Sequence, residues 1–422
     1  MRTNVHSVGI QVNRLGIPLT EGRGDPRLRV AGCCRSADGR FPLPRRGGFD
    51  RNRSVEHWYQ VANVDGVASP TLLIFPERVE ENLRRMIAAA GGPQRLRPHV
   101  KTHKLPQILA MQIAHGITRF KAATIAEAEM CGMGGATEVL LAYPMVGPNP
   151  RRLMELLRRY PGTRFQTVVD HPEGVAALSH AATEAGVEIE VLIDLNVGMD
   201  RTGIEPGEAA FTLYGTLCRT PGIRPGGLHA YDGHLHQADR QVRREAMTRA
   251  FDRIWALEVR LKASGFPVPR IVASGTPTTP LMAARPGVEL GAGTTVLWDF
   301  GQAETCPEMD YLASAVLLTR VISRPTANRI TLDLGHKAVA SEMPHPRVRL
   351  FGLEDAVPVM HSEEHLVIES PRADAFPVGT VVYGVPRHVC PTVALHSEVT
   401  VVRSHRAVDT WPVVARARRL TI

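Results

Sequence analysis

The sequence predicts an α/β protein, a (β/α)8 TIM-type barrel followed by a C-terminal β-rich domain. Between about residues 96 and 299, eight short β-rich runs alternate with amphipathic helical stretches, the pattern of a closed parallel barrel. Beyond residue 299 the helical spacing stops, and short runs separated by Gly, Pro and Asp clusters take over. A chain of 422 residues with 44% hydrophobic content is long enough for two domains.

The eight barrel runs are 96–100, 120–124, 139–143, 165–170, 191–195, 227–231, 270–274 and 288–291. Helical patterns separate them, as at 150–160 and at 240–264, where apolar residues recur every three or four positions and Gly265 ends the run. Ahead of the barrel, 71–75 reads as a strand, followed by a helix that Pro76 opens and Gly91 closes. This early strand is available to pair with the later β-rich runs at 315–322, 329–334, 365–369, 380–383 and 398–402. The expected division is a basic extension at 1–53, the barrel with its preceding strand at 54–310, and the β-domain at 311–422.

The formal net charge is +8, but residues 1–53 hold eleven Arg, no Lys and four acids, a balance of +7. The body of the chain is therefore near neutral, and nucleic acid is not an expected partner. The Gly- and Pro-rich front segment has no hydrophobic period and reads as disordered, either an over-long start or a basic arm. No run reaches the roughly 18 apolar residues of a membrane helix, and no signal-peptide pattern opens the chain, so a cytoplasmic protein with no membrane partner is expected. The six cysteines are too sparse for a disulfide framework.

Barrel sites form at the C-terminal ends of the strands, where the loops converge. Lys101 follows the first run, flanked by His99 and His103; Tyr231 and His234 follow the sixth. Ser274, Gly275 and Thr276 follow the seventh run, and Gly293 and Thr294 the eighth. Small residues at those last two positions let backbone N–H groups approach a phosphate. A lysine amine facing a phosphate cradle, partly desolvated and beside other positive groups, is poised to attack an aldehyde, which points to pyridoxal 5'-phosphate. In the tail, His388 and Cys390 stand two apart, which in an extended segment puts both on one side. That spacing alone fits a core cysteine beside a hydrogen-bonded histidine better than a metal pair. The motif His361-Ser362-Glu363-Glu364-His365 fits either a supporting layer to that pair or a polar loop.

Three motifs together resemble the D-threonine aldolase and D-serine dehydratase family. They are Arg97-Pro98-His99-Val100-Lys101-Thr102-His103-Lys104, Ser274-Gly275-Thr276-Pro277 and His388-Val389-Cys390-Pro391-Thr392, in the family's order, and the resemblance runs from about residue 57 to the C-terminus. It implies a homodimeric enzyme related to alanine racemase, with the cofactor attached to Lys101 rather than Lys104 and its phosphate at Thr276, Gly293 and Thr294. It also implies a divalent metal, zinc or manganese, on His388 and Cys390, and a small β-hydroxy-D-amino acid as substrate. Two reactions follow from it: cleavage to glycine and an aldehyde, with His103, His234 or His236 as base, or dehydration to a keto acid and ammonia. The body of the chain is more similar to the aldolases, which places that reaction first. Cys390 stands where aldolases often carry a carboxylate, and the segment 229–236 lacks the tyrosine-rich character of the dehydratases. Further off lie a racemase, with Tyr231 as a second acid/base, and a non-catalytic cofactor carrier.

Overall fold

The computed structural model of the protein describes residues 57–422. The expected basic extension at 1–53 lies outside the described residues, as do Cys33 and Cys34. Strand β1 (Thr71–Ile74) leads into α1 (Pro76–Ala90), with Pro76 in the first turn and Gly91 closing the helix at φ 76°. Seven parallel strands then pair in sequence order: β2 (Arg119–Ala122), β3 (Glu138–Pro144), β4 (Arg164–Val169), β5 (Ile189–Leu195), β6 (Ile223–Ala230), β7 (Ile271–Ala273) and β8 (Val288–Leu290). Around them lie α2 (Pro106–Ala114), α3 (Ile125–Met133), α4 (Asn149–Arg159), α5 (Pro172–Ala185), α6 (Glu208–Arg219), α7 (Arg240–Ala263) and the short α8 (Thr279–Met282). Helix α9 (Phe300–Thr305) follows the last barrel strand.

The expected first barrel strand at 96–100 forms only isolated bridges, Leu96 to Leu290 and His99 to Lys121. Arg97 N–H donates to the Leu290 carbonyl at 2.9 Å, and Lys121 N–H to the Pro98 carbonyl at 2.9 Å. Pro98 has no N–H to return, so a regular ladder cannot form. The circle is nevertheless closed between β8 and β2.

Inside the barrel, residues two apart climb the same wall. The lowest ring is charged: Arg97, Arg119, Glu138, Gln166, Glu190, Arg270 and Glu289. Arg97 is fully buried and donates to Glu289 at 2.5 Å, to Glu138 at 2.6 Å and to Gln166 at 3.0 Å. Arg270 pairs with Glu190, and Arg119 with Glu289 at 3.2 Å. Two residues higher, Leu140, Val168, Leu192 and Val272 form an apolar plug. Two higher again, the chain emerges at the mouth.

The second sheet is built from β9 (Ala315–Thr326), β10 (Arg329–Leu332), β11 (Val348–Leu350), β12 (Val357–His361), β13 (Leu366–Glu369), β14 (Val381–Pro386), β15 (Glu398–Arg403) and β16 (Arg406–Pro412). Helix α10 (Val389–Leu395) lies between β14 and β15. The order is β12-β13-β10-β9-β1-β15-β16, with β14 pairing β9 and β11. Strand β1 therefore sits in this sheet, antiparallel to β9 and parallel to β15, although its sequence position groups it with the barrel. Among the described residues no helix is long and apolar enough to cross a membrane.

Removing one partner from a buried, paired charge leaves the others uncompensated. Arg97→Met is expected to lower unfolding stability by about 3 kcal/mol or more, read from urea denaturation. An unchanged midpoint would show that the ring does not hold the barrel.

Candidate active site

Lys101 lies in the single turn Val100–Thr102 that follows the bridging segment, so the barrel wall delivers its side chain to the mouth. There it lines a cavity of about 480 Å³ together with His99, Lys121, Arg201, His229 and Tyr231, with Ala142 and Pro144 on the apolar side. Three cations surround the Tyr231 ring: Lys101, Lys121 and Arg201, at 5.6, 5.7 and 5.1 Å from its centroid.

The two small-residue turns stand beside this cavity rather than in its wall. Ser274 takes φ 78°, a left-handed conformation rare outside glycine, and turns the chain sharply after β7. Asp232 Oδ1 accepts from the Gly275 N–H at 2.5 Å, fastening the loop after β6 to that turn. Burial raises the Asp232 pKa, and its second oxygen has no partner among the described residues. At Gly293 a Cβ would come within 2.5 Å of the His99 carbonyl, so only glycine lets the turn after β8 lie against the Lys101 segment. Thr276 is buried beside these turns.

Cys390 reaches the same mouth from the second sheet. Its sulfur is 3.2 Å from Thr102 Oγ1 and 3.6 Å from Thr294 Oγ1. The expectation of an extended His388–Cys390 segment is corrected: Cys390 is the second residue of α10, and only His388, the residue ahead of the helix, is extended. Pro391 is tolerated because the first helical turn needs no intrahelical N–H. Asp299 anchors this helix start, accepting from Val389 N–H at 2.9 Å and, as the cap of α9, from Gln302 N–H at 2.8 Å. Burial pushes the Asp299 carboxyl up to about 6. His388 bonds to Glu342 through Nδ1 at 2.5 Å and stands two residues before Cys390. Burial works to raise the Cys390 pKa, but the His388 side chain outweighs it and lowers the thiol. Among the described residues no group of three or more His, Cys, Asp or Glu side chains is arranged to hold a metal ion.

Not every expected residue joins the cavity. His103 is fully buried beneath it, its Nδ1 accepting the Leu105 N–H at 3.1 Å, and burial pushes its pKa down to about 3. His234 packs near Gly198 and His236 is exposed, both outside the cavity wall. Lys104 is paired with Glu127. His361 accepts from Arg347 at 2.9 Å within a cluster that includes His336 and His345, none of which lines the cavity.

Sequence reasoning missed Lys121, Arg201 and His229. His229 is the register partner of Asp194 on neighbouring parallel strands, and its Nδ1 meets Asp194 Oδ1 at 2.7 Å. Its Nε2 has no partner among the described residues, and burial lowers its pKa, so the ring is neutral with one nitrogen free. The signal was available: an aspartate and a histidine near the ends of consecutive strands.

Residues 74–293 match the family model described as alanine racemase, N-terminal domain, and residues 314–402 the one described as putative serine dehydratase domain. A D-threonine aldolase from Arthrobacter sp is 31% identical over 357 residues, which cover 83% of this chain and 93% of that relative. A D-threo-3-hydroxyaspartate dehydratase from Delftia sp. (strain HT23) is 27% identical, covering 81% of this chain and 96% of its own. The crystal structure of a D-threonine aldolase from Filomicrobium marinum superposes with a TM-score of 0.76 at 29% identity, over 83% of this chain and 95% of that one.

A histidine that burial keeps neutral must take up a proton when the chain unfolds in mild acid, so its stabilising effect is complete above pH 6.5 and is lost toward the folded value. For His103 that window runs from 6.5 down to about 3. Stability is expected to fall with acidification, and His103→Gln to flatten the slope by up to about 1.4 kcal/mol per pH unit. Denaturant unfolding at several pH values measures this, and an unchanged slope would refute it.

Proposed function

The chain belongs to the D-threonine aldolase and D-serine dehydratase family of pyridoxal-phosphate-dependent lyases, and we propose that it cleaves a β-hydroxy-D-amino acid to glycine and an aldehyde. The observation that carries the lyase reading is the convergence of Lys101 and Cys390, from opposite ends of the chain, on one barrel mouth, and the greater similarity of the body of the chain to a D-threonine aldolase puts cleavage first. The mouth fits the cofactor: an amine for its aldehyde, an aromatic wall, several cations for its anionic groups, and turns of small residues. Lys101 would hold it, with Tyr231 beside the ring and Ser274, Gly275, Thr276, Gly293 and Thr294 around the phosphate. When bound, the cofactor supplies an electron sink for a bond broken at Cα.

The protein's own groups supply proton movement and positioning. His229, with Nδ1 committed to Asp194, offers Nε2 as acceptor for the substrate's β-hydroxyl proton. It is better placed than His103 or His234, because it lines the cavity. Lys101 Nζ is the amine that exchanges a proton with Cα. Ala142 and Pro144 keep one flank apolar and limit water. The His388 and Cys390 donors suit a divalent cation such as zinc or manganese, with open positions left for water and substrate. When bound, it supplies Lewis acidity toward the β-hydroxyl. Dehydration is the second reading, favoured by a thiol rather than a carboxylate at residue 390.

The deciding experiment separates products after incubation with D-threonine, D-allo-threonine, D-serine and D-threo-3-hydroxyaspartate. Glycine and aldehyde are expected; keto acid and ammonia without glycine would replace the first reading by the second. Borohydride reduction of the cofactor-loaded protein should label Lys101, whereas the paired Lys104 stays unmodified. Chelation should abolish turnover and leave the circular dichroism unchanged, zinc or manganese should restore it, and His388→Ala should mimic the chelated protein. Full turnover by protein shown metal-free by elemental analysis would rule out the metal's part.

A further inference from the structure

Lys121 is 1% exposed and enters the barrel interior from β2, between the charged ring below and the mouth above. Among the described residues its amine makes no hydrogen bond or ion pair, yet it lies in the cavity wall. Space has been cleared for it: a Cβ at Gly291, just past β8, would occupy the position of the amine. A buried ammonium without a partner is costly, and an apolar side chain would fill the same space without that cost. The arrangement makes physical sense where the partner arrives from outside.

We propose that Lys121 is an oxyanion-binding residue of the barrel mouth, supplying the positive charge that meets a phosphate or carboxylate entering the cavity. The groups facing it are Arg97, His99 and Lys101 from the bridging segment, Asp194 from β5, and His229, Tyr231 and Asp232 from β6 and its loop. Burial, and then the charge of Lys101, lower its pKa to about 7, against the opposing pull of Asp232 and Asp194. Above that pH the empty cavity holds a neutral amine. An oxyanion against it favours the ammonium, so binding draws a proton from solution.

The inference rests on reading this cavity as the ligand site, and sulfate tests it without any lyase turnover. Sulfate does not itself titrate near neutrality. Calorimetry of the full-length chain, freed of bound aldehyde, in buffers of different ionisation enthalpy at about pH 8 should show uptake approaching one proton per sulfate bound. Lys121→Met should abolish the uptake and weaken sulfate by at least about tenfold. Lys121→Arg, always charged, should keep the affinity and take up no proton. A further comparison identifies the source of the oxyanion. If Lys121→Met weakens pyridoxal phosphate but not pyridoxal, it is the cofactor's phosphate; if it leaves both unchanged and raises the substrate KM, it is the carboxylate. Sulfate binding without proton uptake, the same uptake in Lys121→Met, or no sulfate binding while lyase turnover persists would each overturn the proposal and leave the lyase reading standing.

Discussion

The barrel depends on the ion network at its floor. Arg97 lies on a segment that cannot form a proper strand, because Pro98 withholds an N–H from the ladder. Its guanidinium supplies the missing connection, reaching β3, β4 and β8 at once. Glu190 extends the network to Gln166 at 3.0 Å and to Arg270, and Arg224 on β6 approaches it at 3.5 Å. Every wall of the barrel thus contributes at least one polar group, with the three arginines and three glutamates of the lowest ring balancing. Such a network gains little over an apolar floor in free energy, but it is directional. Its geometry specifies which strand lies next to which, a selection that a greasy floor of interchangeable methyl groups makes poorly.

Because strands alternate, the floor also dictates the mouth. The apolar plug of Leu140, Val168, Leu192 and Val272 separates the two polar layers. At the plug's own level His99 and Lys121 stand two residues above Arg97 and Arg119, and above it the same walls deliver Lys101, Asp194 and Ser274. A one-residue slip in any strand would reverse its facing and remove both a floor partner and a mouth group. The mouth is consequently a place of concentrated burial: His99 and His229 are driven toward neutrality, and the acids Asp232 and Asp299 toward protonation, all chiefly by loss of solvent. Buried ionisable groups of both signs, several with an unpartnered atom, mark a site built for polar ligands rather than for stability.

Much of this was legible in the sequence, because periodicity and position carry it. Helix α1 between Pro76 and Gly91, the long α7 and the barrel strands are written in local spacing, and the strand-end rule led to Lys101 and the two turns. What escaped depended on tertiary contact. Strands β12 and β16 are largely exposed, so no burial alternation announced them. His388 and Cys390 read as an extended pair, yet a proline in the first helical turn costs little and Asp299 caps the start from ninety residues away. Lys121 was missed, since nothing local reveals that Gly291 opposes it. His103, two residues after Lys101, turned away because it closes the turn at Val100–Thr102 and its ring is held in the interior by the Leu105 N–H.

Strand β1 explains how a mouth assembled from such distant segments holds together. It precedes the barrel but pairs with β9, which follows it, and Phe75 N–H donates to the Ser314 carbonyl at 3.0 Å at the point where the chain enters and leaves the barrel. The barrel is therefore an insertion whose two ends are fastened side by side in the second sheet. On the other flank β1 pairs with β15, the strand after the helix that carries Cys390. A single four-residue strand thus ties the barrel's entry, its exit and the Cys390 segment into one hydrogen-bonded unit. Contacts such as Thr102 to Cys390, 288 residues apart, bring a large loop-closure cost when formed alone. The pairing of β1 with β9 and β15 shares that cost, so the sheet as well as its own contacts holds Cys390 against Thr102. The placement of the Cys390 segment is thus supported by a strand that contains none of the site's residues.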